Sequence, residues 1–168
     1  MKKVGKGGLF IFFLCFVPGV ILLTSSALIK VYEGPFGGAG GVLFERLIPH
    51  GSRITEIQIR AGVYIEALQI FYEKKDGRLQ DSSRIGGHGG QLYRFKLDKG
   101  EYIIGISGRY GQFVDSIRIH TNRRVSPRYG GIGGTHNYRA IARFNTELIG
   151  FFGRSGLHVD AIGIVVRG

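Results

Sequence analysis

Apolar residues recur at every second position in six short stretches of the chain. They are Ile57/Ile59, Leu68/Ile70, Ile104/Ile106, Ile117/Ile119, Ile149/Phe151 and Ile162/Ile164. A period of two places successive side chains on opposite faces, so each stretch predicts a strand with one buried face. The stretches fall into three pairs, each joined by a glycine-rich turn, as in Gly108-Arg109-Tyr110-Gly111 and Gly153-Arg154-Ser155-Gly156. Each pair therefore reads as a hairpin. No segment beyond residue 27 shows a 3.6-residue apolar stripe, so no amphipathic helix is expected.

The hairpins belong to a threefold repeat. A glycine cluster occurs as Gly37-Gly38-Ala39-Gly40-Gly41, Gly86-Gly87-His88-Gly89-Gly90 and Gly130-Gly131-Ile132-Gly133-Gly134, with spacings of 49 and 44 residues. A second motif, Gly-x-x-(Ile/Val)-acid, occurs as Gly62 to Glu66, Gly111 to Asp115 and Gly156 to Asp160, with spacings of 49 and 45. Two independent motifs holding nearly one period mark an internal repeat. The prediction is an all-β body of three similar antiparallel sheets, about four strands each, packed about one core.

The acid of the second motif stands at the start of a strand, at the sheet edge beside its loop. The glycine four residues earlier permits tight curvature, and the loop amides between them are free to face outward. A carboxylate beside unpaired N–H donors suits a vicinal diol: the acid accepts from two hydroxyls and the amides donate to oxygens. Hydrogen bonds to an ionised acceptor are the stronger kind. A facing loop of bare glycines lets backbone approach a sugar ring closely. Taken singly, a turn glycine followed by an acid is common, and its plainer reading is a carboxylate tying down its own loop.

Lys2, Lys3 and Lys6 precede an apolar run from Leu9 to Leu23, interrupted only by Pro18 and Gly19 and followed by Thr24-Ser25-Ser26-Ala27. This order of charge, apolar run and small residues is that of a secretory signal cleaved after Ala27, with an uncleaved anchor as the alternative. The expected organisation is a signal over residues 1–27 and one domain over 28–168, secreted and free of the membrane once cleaved. Cys15 is the chain's one cysteine and lies within the run. The remaining domain then has no disulfide and depends on its apolar core, which suffices at this length.

The stretch Gly34-Pro35-Phe36-Gly37-Gly38-Ala39-Gly40-Gly41 resembles the jacalin-related lectins. So does Ile149-Gly150-Phe151-Phe152-Gly153-Arg154-Ser155-Gly156 with Val159-Asp160-Ala161-Ile162-Gly163, and the resemblance runs from about Leu28 to Gly168. It implies a β-prism I fold, three four-stranded Greek-key sheets with pseudo-threefold symmetry. It also implies carbohydrate binding at one end, without metal; no other cofactor and no catalysis are expected. The primary site would join Gly40 and Gly41 to the loop of Leu157, His158 and Asp160. A second would join Val63, Tyr64 and Glu66 to Gly89 and Gly90, with an acid one methylene longer than the family's Asp. A third would join Gln112, Phe113 and Asp115 to Gly133 and Gly134. Galactose-preferring members are cut beside the first glycine loop. Gly41-Val42 here lies within an uninterrupted chain and the loop residue is His158, so the resemblance implies mannose- or glucose-type glycans. The His158 ring either meets the sugar or stands exposed with only its backbone used.

Charge adds a competing partner. The chain has 23 Lys and Arg against 12 Asp and Glu, a formal charge of +11, of which three charges precede residue 28. The basic residues include Lys74, Lys75, Arg78, Arg84, Arg109, Arg123, Arg124, Arg128, Arg139, Arg143 and Arg154. They read either as solvated strand and loop charges or as a face for sulfated or uronic polysaccharide or an anionic cell surface. An exported chain is not expected to meet nucleic acid. A glycosidase needs two carboxyl groups within roughly 10 Å, whereas Glu66, Asp115 and Asp160 fall on different predicted sheets. A scaffold that has lost binding is the third class, and the intact Asp115 and Asp160 speak against it. One monosaccharide should bind weakly, at about a millimolar dissociation constant. Several sites or a homo-oligomer would supply avidity.

Overall fold

The computed structural model describes residues 29–143 and 146–167. The segment read as a signal lies outside them. Among the described residues there is no helix. The chain forms three antiparallel sheets. The first contains β1 (Lys30–Gly37), β13 (Val159–Arg167), β12 (Glu147–Ser155) and β2 (Val42–Leu47), in that spatial order. The second runs β5 (Leu79–Asp81), β4 (Ile65–Glu73), β3 (Arg53–Ala61), β7 (Gln91–Lys96), with β6 (Ile85–Gly86) also on β4. The third runs β10 (Tyr129–Gly130), β9 (Val114–Thr121), β8 (Ile103–Tyr110), β11 (His136–Ile141). Each sheet is thus a central hairpin flanked by two strands that follow or precede it, and the first sheet unites the first and last strands of the described residues.

The second sheet carries a fifth strand because its outer position is shared. β5 pairs with Phe71–Glu73 and β6 with Ala67–Leu68. Between them Ser82 replaces the ladder: its Oγ accepts from Ile70 N–H at 3.1 Å and its N–H donates to Ile70 carbonyl at 2.8 Å.

The inward faces meet in one core. Ile57, Ile59, Leu68 and Ile70 come from the second sheet, Ile106, Ile117 and Ile119 from the third, and Ile149, Phe151, Ile162 and Ile164 from the first, all buried. Ile104 departs from the expected alternation and is only half-buried, while Ile103 is 2% exposed. The cause is a bulge: the register on β9 shifts between Ile103 and Gly105. The same irregularity falls between Ile54 and Glu56 on β3 and between Leu148 and Gly150 on β12. One extra residue moves each strand's apolar set by one place and increases its local twist.

At the end of the third sheet remote from the β8–β9 turn, Glu101 is buried and accepts from Arg124, Thr121 Oγ1 and the Asp98 amide. The Arg124 guanidinium, first among these, holds the carboxyl down at about 2. A carboxylate with a lowered folded-state pKa stabilises the protein above its ordinary range, and that stabilisation is lost as pH falls toward the folded value. Glu101→Gln should therefore cost about 2 kcal/mol at pH 7. In urea titrations the gap from the parent protein should close between about pH 5 and 2; a pH-independent gap would refute the assignment.

Candidate functional site

Six loops gather at one end of the three sheets, and they repeat in threes. In each hairpin turn the leading glycine donates its N–H to the carbonyl two residues on. These bonds are Gly62 to Tyr64 at 3.0 Å, Gly111 to Phe113 at 2.9 Å and Gly156 to His158 at 2.9 Å. Each glycine loop then hangs on the acid of its partner hairpin: Gly38, Gly87 and Gly131 donate to the carbonyls of Asp160, Glu66 and Asp115, each at 2.9 Å. The loops also interlock around the axis. A methyl group on Gly38 would overlap the Gln112 carbonyl, one on Gly87 the Leu157 carbonyl, and one on Gly131 the Val63 carbonyl.

The carboxylates sit against bare backbone. A side chain on Gly40 would overlap Oδ1 of Asp160, and one on Gly41 would lie 2.5 Å from Oδ2. Among the described residues no group donates a hydrogen bond to either oxygen of Asp160, and the amides of Leu157 and His158 have no protein acceptor. The third pair has the same form: Cβ atoms on Gly133 and Gly134 would lie 2.5 and 2.7 Å from Oδ1 and Oδ2 of Asp115. Asp115 is 4% exposed, and this desolvation raises its pKa against the opposing Gly111 amide and Arg109 charge. In the second pair Glu66 lies against Gly89, whereas Gly90 packs on the backbone of Ala61. The structure thus brings the residues of each predicted pair to one place.

Glu66 differs from the two aspartates in having a side-chain partner. Its Oε2 is paired with His158 Nδ1. The extra methylene carries the carboxylate toward the neighbouring hairpin. The His158 ring is half-buried beside this carboxylate, where the sequence offered a ring that either meets the sugar or stands exposed. It packs with Tyr64 and Phe113, with ring centroids 4.9 to 5.5 Å apart. These three rings occupy one position of the repeat, two residues after the turn glycine, and close the end of the core on its pseudo-threefold axis.

Arginines play a part that the sequence reading assigned elsewhere. Arg154 donates from Nε to Gly40 carbonyl at 2.7 Å and from Nη2 to Gly41 carbonyl at 2.9 Å. Arg109 does the same to Gly133 at 2.7 Å and Gly134 at 2.6 Å. Arg60 reaches the carbonyls of His88, Gly89 and Gly90 at 3.0 to 3.3 Å. A second bulge beside each one, between Arg60 and Ala61, Arg109 and Tyr110, and Arg154 and Ser155, redirects the strand end toward the glycine loop. Arg109 and Arg154 are therefore clamps on these loops before they are surface charges. The signal was present: Arg60, Arg109 and Arg154 are spaced 49 and 45 residues apart, the period of the acid motif.

The arrangement offers one ionised acceptor, two free amide donors and a facing wall without side chains, which is chemistry for polyhydroxylated ligands. Among the described residues no three His, Cys, Asp or Glu side chains gather into a metal-holding group.

Comparison with known proteins agrees with the fold. The model of the jacalin-like lectin domain matches residues 33–165. Horcolin of barley is 35% identical over 141 residues, covering 79% of this chain and 94% of horcolin. Jacalin-related lectin 3 of Arabidopsis thaliana is 32% identical over 156 residues; the alignment covers 86% of this chain and only a quarter of that protein. A solved mannose-binding jacalin-related lectin from Ananas comosus superposes with a TM-score of 0.70 at 32% identity, covering 83% of this chain and 96% of that one. With three Greek-key sheets, threefold repeated loops and matches over most of its length, the chain belongs to the jacalin-like lectin domain family, whose fold is the β-prism I and whose members bind carbohydrate.

Proposed function

We propose that the chain recognises mannose- and glucose-type glycans without a metal, through Asp160. Its carboxylate accepts from two vicinal hydroxyls, the amides of Leu157 and His158 donate to ring and hydroxyl oxygens, and Gly40 and Gly41 form the opposite wall. The observation that carries this reading is the Asp160 carboxylate, seated against bare glycines with no protein donor on it. The pineapple relative described as mannose-binding supports the choice of sugar. A glycan array probed with the full chain should give signal on mannose- and glucose-terminated glycans. A galactose-dominated profile would sink the sugar assignment.

Asp115 with Gly133, Gly134, Gln112 and Phe113 forms a further sugar site. The Glu66 pair does not; Glu66 acts as a brace that holds His158, and so the Asp160 loop, in place. Losing one such bond costs about 1 kcal/mol. Glu66→Ala should therefore weaken methyl-mannoside binding about fivefold in calorimetry, with the enthalpy of unfolding little changed. Unaltered affinity would show that the brace is idle.

The protein binds and does not hydrolyse: Asp115 and Asp160 stand on different sheets, each against its own glycine loop, and Glu66 is engaged by His158. The basic, apolar and small-residue order of residues 1–27 supports export with cleavage after Ala27. Intact-mass measurement of the secreted protein checks this, since a mass retaining Met1–Ala27 would favour the anchor.

A further inference from the structure

The outer face of the third sheet differs from those of the other two. From residue 116 to residue 146 the sequence has no acidic residue and six arginines. Strand register assembles part of this set. Arg139 lies opposite Ser107, and Ser107 opposite Arg118; one row nearer the loops, Asn137 lies opposite Arg109, and Arg109 opposite Ser116. Residues two apart on a strand share a face, so these six side chains point the same way. With Arg128 they line an open cavity of about 310 Å³, and no carboxylate lines it.

The pseudo-symmetry supplies an internal control. The row that reads Arg139, Ser107, Arg118 here reads Arg94, Gln58, Gln69 in the second sheet and Glu45, Phe152, Gly163 in the first. Arg94 has Glu56 for a partner at 3.6 Å. Among the described residues the side chains of Arg128 and Arg139 form neither hydrogen bond nor ion pair, and that of Arg118 makes one bond, to the Ser126 carbonyl at 3.1 Å. Ser116 Oγ is buried with no partner. The neighbouring His120, bonded to Ser107 Oγ at 2.7 Å, has its pKa lowered by burial first and then by Arg139 and Arg118.

We propose that this cavity binds the sulfate groups of a sulfated polysaccharide. Guanidinium groups match oxyanions with paired, directional donors, and four of them without a carboxylate form a site that an anion completes. Arg109 fixes the kind of anion. Its side chain lines the cavity, donates to Asn137 Oδ1 at 3.1 Å, and also holds the Gly133 and Gly134 carbonyls facing Asp115. One chain can then lay a neutral sugar unit in the Asp115 pair and a neighbouring sulfate on the arginines. A single-stranded nucleic acid would want exposed aromatic stacking platforms, and the one aromatic residue lining the cavity, Tyr138, is 5% exposed. The choice of a polysaccharide rests on the lectin reading; the choice of an anion does not.

The test uses the full chain with heparin as the sulfated probe and desulfated, re-N-acetylated heparin, which keeps only its uronate carboxylates, as the comparison, over a range of NaCl concentrations. Arg118→Ser/Arg128→Ser/Arg139→Ser should lower heparin affinity at least about tenfold and flatten its salt dependence. Mannoside binding should not change, and the desulfated polymer should bind poorly throughout. Lys74→Ser/Lys75→Ser/Arg78→Ser removes equal charge at a turn of the second sheet and should leave most of the affinity. Equal losses in the two triple variants, no loss in the arginine variant, or competition by single-stranded DNA as strong as by heparin per charge would each overturn the proposal. Arginine-dependent heparin binding in a protein that ignores mannosides would uphold the cavity and sink the neutral-sugar site alone.

Discussion

Asp160→Ala should remove methyl-mannoside binding at the primary loop pair while leaving the fold intact. Two hydroxyl hydrogen bonds to a carboxylate contribute roughly 3 kcal/mol together, which is about 100-fold in affinity. From a millimolar starting point the variant falls below detection by calorimetry. Stability should move the other way. Asp160 is 5% exposed and no protein group hydrogen-bonds its side chain among the described residues. Exchanging a buried polar group that no protein donor satisfies for a methyl group removes no native hydrogen bond, so thermal melting should be unchanged or slightly higher. Asp160→Asn keeps the shape and one acceptor and should lie between the two. Binding retained in the alanine variant, or a large fall in its melting temperature, would show that the carboxylate holds the loop and not the ligand.

What was legible in the sequence was whatever the repeat expressed as a pattern. Ile117/Ile119 and Ile162/Ile164 alternate without interruption and are buried as the alternation requires. Ile104 misleads because a bulge is invisible to a count of two; it shows only when the partner strand supplies the register. The loop pairs were legible because Gly40, Gly41 and Asp160 share their period with Gly133, Gly134 and Asp115. The clamping role of Arg154 showed only as a period shared with Arg60 and Arg109, and an arginine at a strand end looks like surface charge until its donors are traced to the Gly40 and Gly41 carbonyls. The pairing of Glu66 with His158 was not legible, since they are 92 residues apart and meet only through the closed ring of loops. The acid-free run after Asp115 was visible as composition, but only strand register shows that Arg118 and Arg139 flank one serine.

Gly41→Val should abolish mannoside binding by a different route, through the wall and not the acceptor. Gly41 has φ of +61°, where a β-branched residue pays roughly 1 to 2 kcal/mol. Its new Cβ would also overlap the carbonyl carbon of Ser155 and press on Asp160 Oδ2 at 2.5 Å. Ser155 is pinned between Val42 and Val159 in the first sheet, so it cannot yield. The glycine loop must move instead, and Arg154 resists that by holding the Gly41 carbonyl at 2.9 Å. Relief therefore breaks the clamp and withdraws the backbone from Asp160, opening the cleft. Melting should fall by about 5 °C, at 2 to 4 °C per kcal/mol for a domain of this size, with the far-ultraviolet spectrum unchanged. Gly77 separates strain from geometry: its φ is +81°, nothing lies within 4 Å of a Cβ there, and its turn is at the other end of the second sheet. Gly77→Val pays similar backbone strain and should keep full mannoside affinity. Equal loss of binding in both variants would mean that general loosening, and not the closeness of Gly41 to Asp160, controls recognition.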